Sequence, residues 1–313
     1  MVRPPEQRGF DVDAVWNDDF HHSAMVALTG RNEAYYTDYK GTPQEFISAV
    51  KHGFLYQGQW YVWQKKRRGT PALDLSADRF VAFLQNHDQV ANSLRGQRLH
   101  QLTSPGRSRA LTALLLLGPN TSMLFQGQEF AAGTPFLYFA DHEPELASKV
   151  VEGRRQFLSQ FRSMASVEMD PFITDPADKR TFKRCKLDFS ERQRNAGIYQ
   201  LHEDLLRLRK QDPVFSHPDA LDGAVLASEA FLIRMFGEGG DDRLLIVNLG
   251  VDLHLAPAPE PLLGPPTDSS WTLLWSSEEP VYGGSGTPPF NGADWEIPGH
   301  AALVFKPKRS NHP

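Results

Sequence analysis

The chain has 313 residues, 40% hydrophobic and 23% charged, which describes a globular protein with room for one large domain or two ordinary ones. A net charge of −5 offers no electrostatic case for a nucleic-acid partner. The single cysteine, Cys185, excludes an internal disulfide and suits a reducing compartment. The start, Met1-Val2-Arg3-Pro4-Pro5, lacks the apolar core of a secretory signal. The longest apolar run, 111–117, is too short to cross a bilayer. The expected location is therefore the cytoplasm, with no membrane partner.

Residues 13–16 read as a short strand ending in Asn17-Asp18-Asp19, followed by a helix over 23–28 that stops at Gly30. Thr42-Pro43-Gln44-Glu45 has the spacing of a capping box with proline at the first helical position. Phe46, Ile47 and Val50 then share a face, and Gly53 ends that helix. A second strand is expected over 80–84. Ser104-Pro105 opens a helix with Ala110, Leu111, Leu114, Leu115 and Leu117 on a broad apolar face, stopped by Gly118-Pro119. Residues 122–125 read as a third strand. Strand and helix thus alternate through the first half, which argues for parallel strands with helical crossovers.

An amphipathic helix follows over 196–211, with Ile198, Leu201, Leu205 and Leu208 on one side and Asp212-Pro213 ending it. Beyond it, 230–235, 243–248, 271–275 and 301–305 are short strands separated by Gly and Pro clusters, an antiparallel sandwich in expectation. The expected division is 1–195, a connecting helix and linker over 196–221, and a β-domain over 222–313.

The most informative stretch is 80–92. An apolar run breaks into Gln85-Asn86-His87-Asp88-Gln89, a set of donors, acceptors and one carboxylate that suits a polyhydroxyl ligand at a strand tip. A simple turn uses the same residue types. Asn86-His87-Asp88-Gln89 resembles the last of the four signature motifs of the alpha-amylase clan of glycoside hydrolases. The extended Gln85-Asn86-His87-Asp88-Gln89-Val90-Ala91-Asn92 resembles the version found in maltooligosyltrehalose trehalohydrolases. Trp16-Asn17-Asp18-Asp19-Phe20-His21-His22, Tyr35-Tyr36-Thr37-Asp38-Tyr39, Phe125-Gln126-Gly127-Gln128-Glu129-Phe130 and Tyr138-Phe139-Ala140-Asp141-His142 fall in the same family's order.

This resemblance implies the last three strand–helix units of a (β/α)8 barrel followed by the family's C-terminal β-domain. It implies an α-glucan substrate, maltooligosyltrehalose, cut at the α-1,4 bond next to its trehalose end, with no cofactor and no metal. Asp88 takes the role of the carboxylate that stabilises the oxocarbenium-like transition state, and His87 that of a hydrogen-bond partner to the sugar at the cleavage site. Asn86 and Gln89 join them as substrate contacts.

Asp18, Asp19, His21 and His22 lack the spacing of a zinc site. The resemblance puts Asp19, His21 and His22 in a substrate-side loop, where substrate contact and loop structure both stay open. Tyr138, Asp141 and His142 belong to an aromatic loop that either stacks on sugar or packs on itself. The same choice holds for Tyr35, Tyr36 and Tyr39. Glu129 is a rim hydrogen bond or a substrate contact. The basic run Lys65-Lys66-Arg67-Arg68 reads as a solvated loop.

Glycoside hydrolysis needs two carboxylates flanking the bond. In the clan these sit on earlier strands, which would lie ahead of Met1, so the chain by itself is expected to be inactive. A separate N-terminal barrel chain that completes a split enzyme, a noncatalytic carbohydrate-binding chain, and a related branching or debranching enzyme are the other readings.

Overall fold

The computed structural model describes residues 1–93, 95–165, 174–290, 292 and 294–309. The first strand, β1 (Val15–Trp16), is shorter than expected, because Asn17 turns the chain straight into α1 (Asp18–Thr29). The Asn17 side chain accepts the Phe20 N–H at 3.2 Å, which caps the helix. Asp18 and Asp19 therefore open a helix, where negative charge suits the N-terminal dipole, instead of closing a strand. Gly30 ends α1 in the left-handed conformation, as expected.

Helix α2 (Pro43–His52) starts at the expected proline, but its capping box is corrected. Thr42 makes no side-chain cap, and the Glu45 carboxylate accepts the Lys40 and Gly41 N–H groups at 2.9 and 2.7 Å. Gly53 follows α2 with φ 73°, and a Cβ there would press into the Phe80 ring at 2.5 Å. A small hairpin, β2 (Trp60–Tyr61) and β3 (Lys66–Arg67), precedes β4 (Phe80–Ala82), α3 (His87–Ala91), α4 (Pro105–Leu117) and β5 (Thr121–Ser122).

Strands β1, β4 and β5 form a parallel sheet in that order, with Val15 beside Phe80 and Ala82 beside Ser122. Helices fill both crossovers, as parallel pairing requires. The outer edges of β1 and β5 have no partner strand among the described residues. Three strands do not close a barrel of eight.

Helices α5 (Pro144–Leu158), α6 (Lys179–Arg184) and α7 (Glu191–Arg194) lead to α8 (Ala196–Gln211), whose bounds match the expected helix. The β-region then runs through β6 (Ala220–Ala227), β7 (Ala230–Phe236), β8 (Arg243–Asn248), β9 (Leu253–Leu255), β10 (Ser269–Ser276), β11 (Trp295–Ile297) and β12 (Ala301–Arg309). Five of these form an antiparallel sheet in the order β10-β12-β8-β7-β6, and β9 pairs with β11. The second layer of the expected sandwich is thus a two-stranded ribbon. The first strand, β6, begins two residues ahead of the expected boundary at 222.

Alternation along the strands sorts the two faces. Leu232, Leu244, Ile246, Leu303 and Phe305 pack with Trp295 and Ile297 of the ribbon. Phe231, Ile233, Met235, Leu245, Val247 and Val304 face the other way and share one core with α1, α2, α4 and α8. The Phe46 and Phe231 rings stack across this seam at 5.5 Å. In α4 every residue from Arg109 to Leu117 is buried, so the expected apolar face extends all round the helix. It packs against α8 on one side and β8 and β12 on another.

A buried ion pair lies in the seam. Arg109 of α4 donates to Glu278 at 2.7 Å and to the Ser277 carbonyl at 2.9 Å, with the two side chains 6% and 9% exposed. Removing one partner strands a buried charge. Arg109→Ala is expected to cost about 3–5 kcal/mol in urea unfolding, whereas Arg109→Met combined with Glu278→Gln should cost clearly less. Equal losses in the two proteins would show that the pair's charge is not what matters at this seam.

Candidate active site

Strand β4 ends at Ala82, and Phe83, Leu84 and Gln85 continue it as buried coil. The Gln85 side-chain oxygen accepts the Leu99 N–H at 3.0 Å, which ties this segment to the loop before α4. Asn86 is 2% exposed and caps α3 by accepting the Gln89 N–H at 3.1 Å. Its role in the fold is thereby defined: it starts the turn that presents the next two residues. His87 and Asp88 stand on that turn with side chains 54% and 64% exposed, His87 Nε2 lying 3.4 Å from Asp88 Oδ1. Gln89 is half-buried and lines a narrow crevice of about 30 Å³ with Tyr35, Tyr36, Gln85 and Asn92.

Groups from three other elements gather round Asp88. Trp16, at the end of β1, is 45% exposed and meets His87 edge-on at 6.1 Å. Asp18, one residue into α1, is half-buried, and its carboxyl is pushed above the ordinary value, first by burial, with Asp19 and Asp88 adding to the shift and Arg68 opposing it. Arg154 of α5 donates to the Asn92 side chain at 2.9 Å and to the Ala91 carbonyl at 2.8 Å, so it grips the C-terminal end of α3. Its guanidinium lies 4.7 Å from the Tyr138 ring centroid, which joins Tyr138 to the same assembly. Burial lowers the Arg154 pKa, and the charges of Tyr138 and Asp88 work against that. Asp141 and His142 are exposed ahead of α5. No hydrogen bond or ion pair among the described residues joins them to Asp88.

The Trp16 to His22 segment divides sharply. Asp19 has no exposed surface: it accepts the Tyr39 hydroxyl at 2.5 Å and the Leu55 and Tyr56 N–H groups at 2.8 and 3.2 Å. Arg68 pairs with it at 3.4 Å and lies over the Tyr61 ring at 4.8 Å, so the last residue of the basic run is drawn into the protein and not solvated. His21 is also fully buried, with Nδ1–H donating to the Leu84 carbonyl at 2.7 Å and Nε2 3.3 Å from the Tyr36 hydroxyl. His22 is 5% exposed among the Tyr35, Tyr36 and Tyr39 rings. All three lie in α1 and not in the expected loop, and of the two readings left open for them a structural role, not substrate contact, is the one this placement favours. Tyr36 and Tyr39 pack into the same cluster, and Tyr35 keeps one side on the crevice. Glu129 sits 3.8 Å from Arg192 at the far side of the sheet's end. Cys185 is buried, 3.2 Å from the Thr181 carbonyl, and burial raises its thiol pKa.

Along β1 runs a groove of about 770 Å³, lined by residues 1–3, 7–9, 12, 14–16 and 18 together with Phe54, residues 69–72, Leu75 and Phe80. Trp16 and Asp18 form its end nearest Asp88. No group of three or more His, Cys, Asp or Glu side chains among the described residues is arranged to hold a metal ion. No described helix is long and apolar enough to cross a membrane.

Trp16, Arg68 and Arg154 were not among the residues singled out for the site. Trp16 belongs to the quoted motif, so its aromatic face beside a sugar-type cluster was a usable signal. Arg68 and Arg154 arrive from distant chain positions, and spacing carries no trace of them.

Burial holds the His21 imidazole down at about pH 4 against an ordinary 6.5, while its bond to Leu84 works the other way. Below 6.5 the unfolded chain takes up a proton that the folded ring refuses until about pH 4. Stability therefore falls as pH drops through that window. His21→Gln should flatten the pH dependence of unfolding free energy there by about one proton's worth of slope. An unchanged slope would mean that His21 protonates without opening its pocket.

Residues 218–304 match the family model described as a domain of unknown function (DUF3459). The chain is 38% identical over 251 residues to malto-oligosyltrehalose trehalohydrolase of Deinococcus radiodurans, covering 77% of this chain and 40% of that protein. It is 35% identical over 314 residues to the protein of that name from Rhizobium sp. (strain M-11), covering 98% of this chain and 48% of that one. Among solved structures, a provisionally assigned alpha amylase of Salmonella typhimurium superposes with a TM-score of 0.75 at 27% identity, over 94% of this chain and 46% of its own. Type I pullulanase of Bacillus subtilis shares the fold at a TM-score of 0.54 and 12% identity, over 94% of this chain and 35% of its own. The alignments thus span somewhat under half the length of these curated relatives. By sequence, the chain is a partial-length homologue of the malto-oligosyltrehalose trehalohydrolases.

Proposed function

We propose that this chain carries the sugar-holding and charge-stabilising part of a glycoside hydrolase site. Its reaction is cleavage of the α-1,4 bond next to the trehalose end of maltooligosyltrehalose, with release of trehalose. The observation that carries this reading is the exposed Asp88 carboxylate on a buried, capped turn after β4, in a chain whose named relatives are trehalohydrolases. Asp88 offers negative charge where an oxocarbenium-like sugar develops positive charge. His87 and Gln89 hydrogen-bond sugar hydroxyls, and Trp16 and Tyr138 offer faces to sugar C–H surfaces. Asp141 and His142 act further out along the oligosaccharide. Asn86, Asp19, His21 and His22 hold these groups in place.

Two carboxylates must flank the scissile bond, one as nucleophile or base and one as acid. With Asp88 in the stabilising role, Asp18 is the remaining carboxylate of the described cluster. We therefore assign the nucleophile and acid to strands that would pair along the open edges of β1 and β5. Residues 1–195 are in this reading the last part of the barrel, and 222–313 its β-domain. The 770 Å³ groove is where the complementary part seats. The enzyme works in the cytoplasm, in keeping with a lone buried cysteine.

Purified chain incubated with maltooligosyltrehalose should release no trehalose, and addition of a polypeptide supplying the remaining strands should restore release. Robust turnover by the chain alone would overturn the assignment and point to Asp18 as part of a catalytic pair. In the restored enzyme, Asp88→Asn should lower turnover about a hundredfold while substrate affinity changes only a fewfold. Turnover within a fewfold of the parent would remove Asp88 from the mechanism. Tight glucan binding without turnover in the completed assembly would favour a noncatalytic carbohydrate-binding protein.

A further inference from the structure

A second cavity lies apart from the Asp88 turn, between α1, α4 and α8, with a volume of about 170 Å³. It is large enough for more than isolated waters; a dry aliphatic cavity of about 150 Å³ accepts benzene. Leu28, Leu84, Ile198 and Leu201 supply apolar wall. No carboxylate lines it, and its one arginine, Arg109, is committed to Glu278 and the Ser277 carbonyl. A charged guest would meet no free counter-charge, which disfavours ions strongly.

Two polar groups in this wall have unmet hydrogen-bonding capacity. Gln128 is 8% exposed, and its Nε2 has no partner. Its Oε1 accepts the Phe125 N–H in a long contact of 3.5 Å, and this orientation of the amide leaves Nε2 as the spare donor. His202 is 4% exposed, and its Nδ1–H donates to the Ile198 carbonyl at 2.9 Å. In a neutral ring Nε2 is then a bare acceptor, and it too has no partner. Burial lowers the His202 pKa, in keeping with a neutral ring. The wall also includes Gln85, His100, Ser108 and Thr112, with burial holding the His100 imidazole down at about 4, but its fully buried polar atoms without a partner are this one donor and this one acceptor. A hydroxyl group meets both demands, since its oxygen accepts and its proton donates. An apolar ring beneath that hydroxyl covers the leucine and isoleucine surface that water would leave wetted.

We propose that this cavity binds one uncharged, ring-sized molecule that carries a hydroxyl group, held by Gln128 and His202. The site is separate from the sugar-facing turn and does not depend on the proposed hydrolase activity.

Calorimetric titration of the full chain with phenol and with benzene tests it. Phenol should bind about tenfold more tightly than benzene, the scale of one net buried hydrogen bond or slightly more. His202→Phe should remove that advantage and leave benzene binding within about twofold. Leu201→Phe, which fills the space, should abolish both. If Leu201→Phe does not fold, the phenol and benzene comparison in the parent and in His202→Phe still decides the matter. Equal binding of phenol and benzene, no binding of either, or only ordered water in the cavity of a phenol-soaked crystal would overturn the proposal.

Discussion

Everything in this structure depends on the burial of α4 from Arg109 to its C-terminal end. A helix buried on every side over its last nine residues must be enclosed by other elements. The antiparallel sheet covers one side of it and α8 another. The β-region therefore shares a hydrophobic core with the first half. Phe231 on Phe46 and Arg109 on Glu278 are two expressions of that shared interior, one by dispersion and one by a desolvated charge pair. A parallel sheet with strands of only two or three residues has few hydrogen bonds of its own, and this borrowed core compensates for it.

The same economy governs the site. Helix α3 has five residues, too short to persist by itself. It is held at one end by the Asn86 cap and at the other by Arg154 on Asn92 and the Ala91 carbonyl. Behind it, His21 is fixed to the Leu84 carbonyl, and the Asp19 carboxylate gathers Tyr39, Leu55, Tyr56 and Arg68. The exposed carboxylate is thus carried by a rigid interior, which is what an electrostatic role asks of its setting.

Local patterns were legible from the chain and distant partnerships were not. Helix α8 followed from a period of 3.6 that buries one face, and β7 and β8 from short apolar runs between Gly and Pro clusters, which the fold buries on both faces. The turn bearing His87 and Asp88 was marked by an abrupt change from apolar to polar residues. Asp19 and His21 looked like a polar loop, since their residue types say nothing of the tyrosines and backbone amides that enclose them. Arg68 looked solvated for the same reason: the buried carboxylate it answers lies 49 positions earlier in the chain. The β9/β11 ribbon was missed because three-residue strands in Pro-rich sequence carry too little pattern to separate from loop.

Gln85 and Leu99 line both the narrow crevice beside Gln89 and the larger cavity behind it. The hydrogen bond between them makes a partition one side chain thick. A ligand that displaced this shared wall from one side would couple the two compartments. Whatever shifts the partition from one side changes the free energy of occupancy on the other, and the effect is equal in both directions. The crevice and the cavity are in that sense two faces of a single mechanical element.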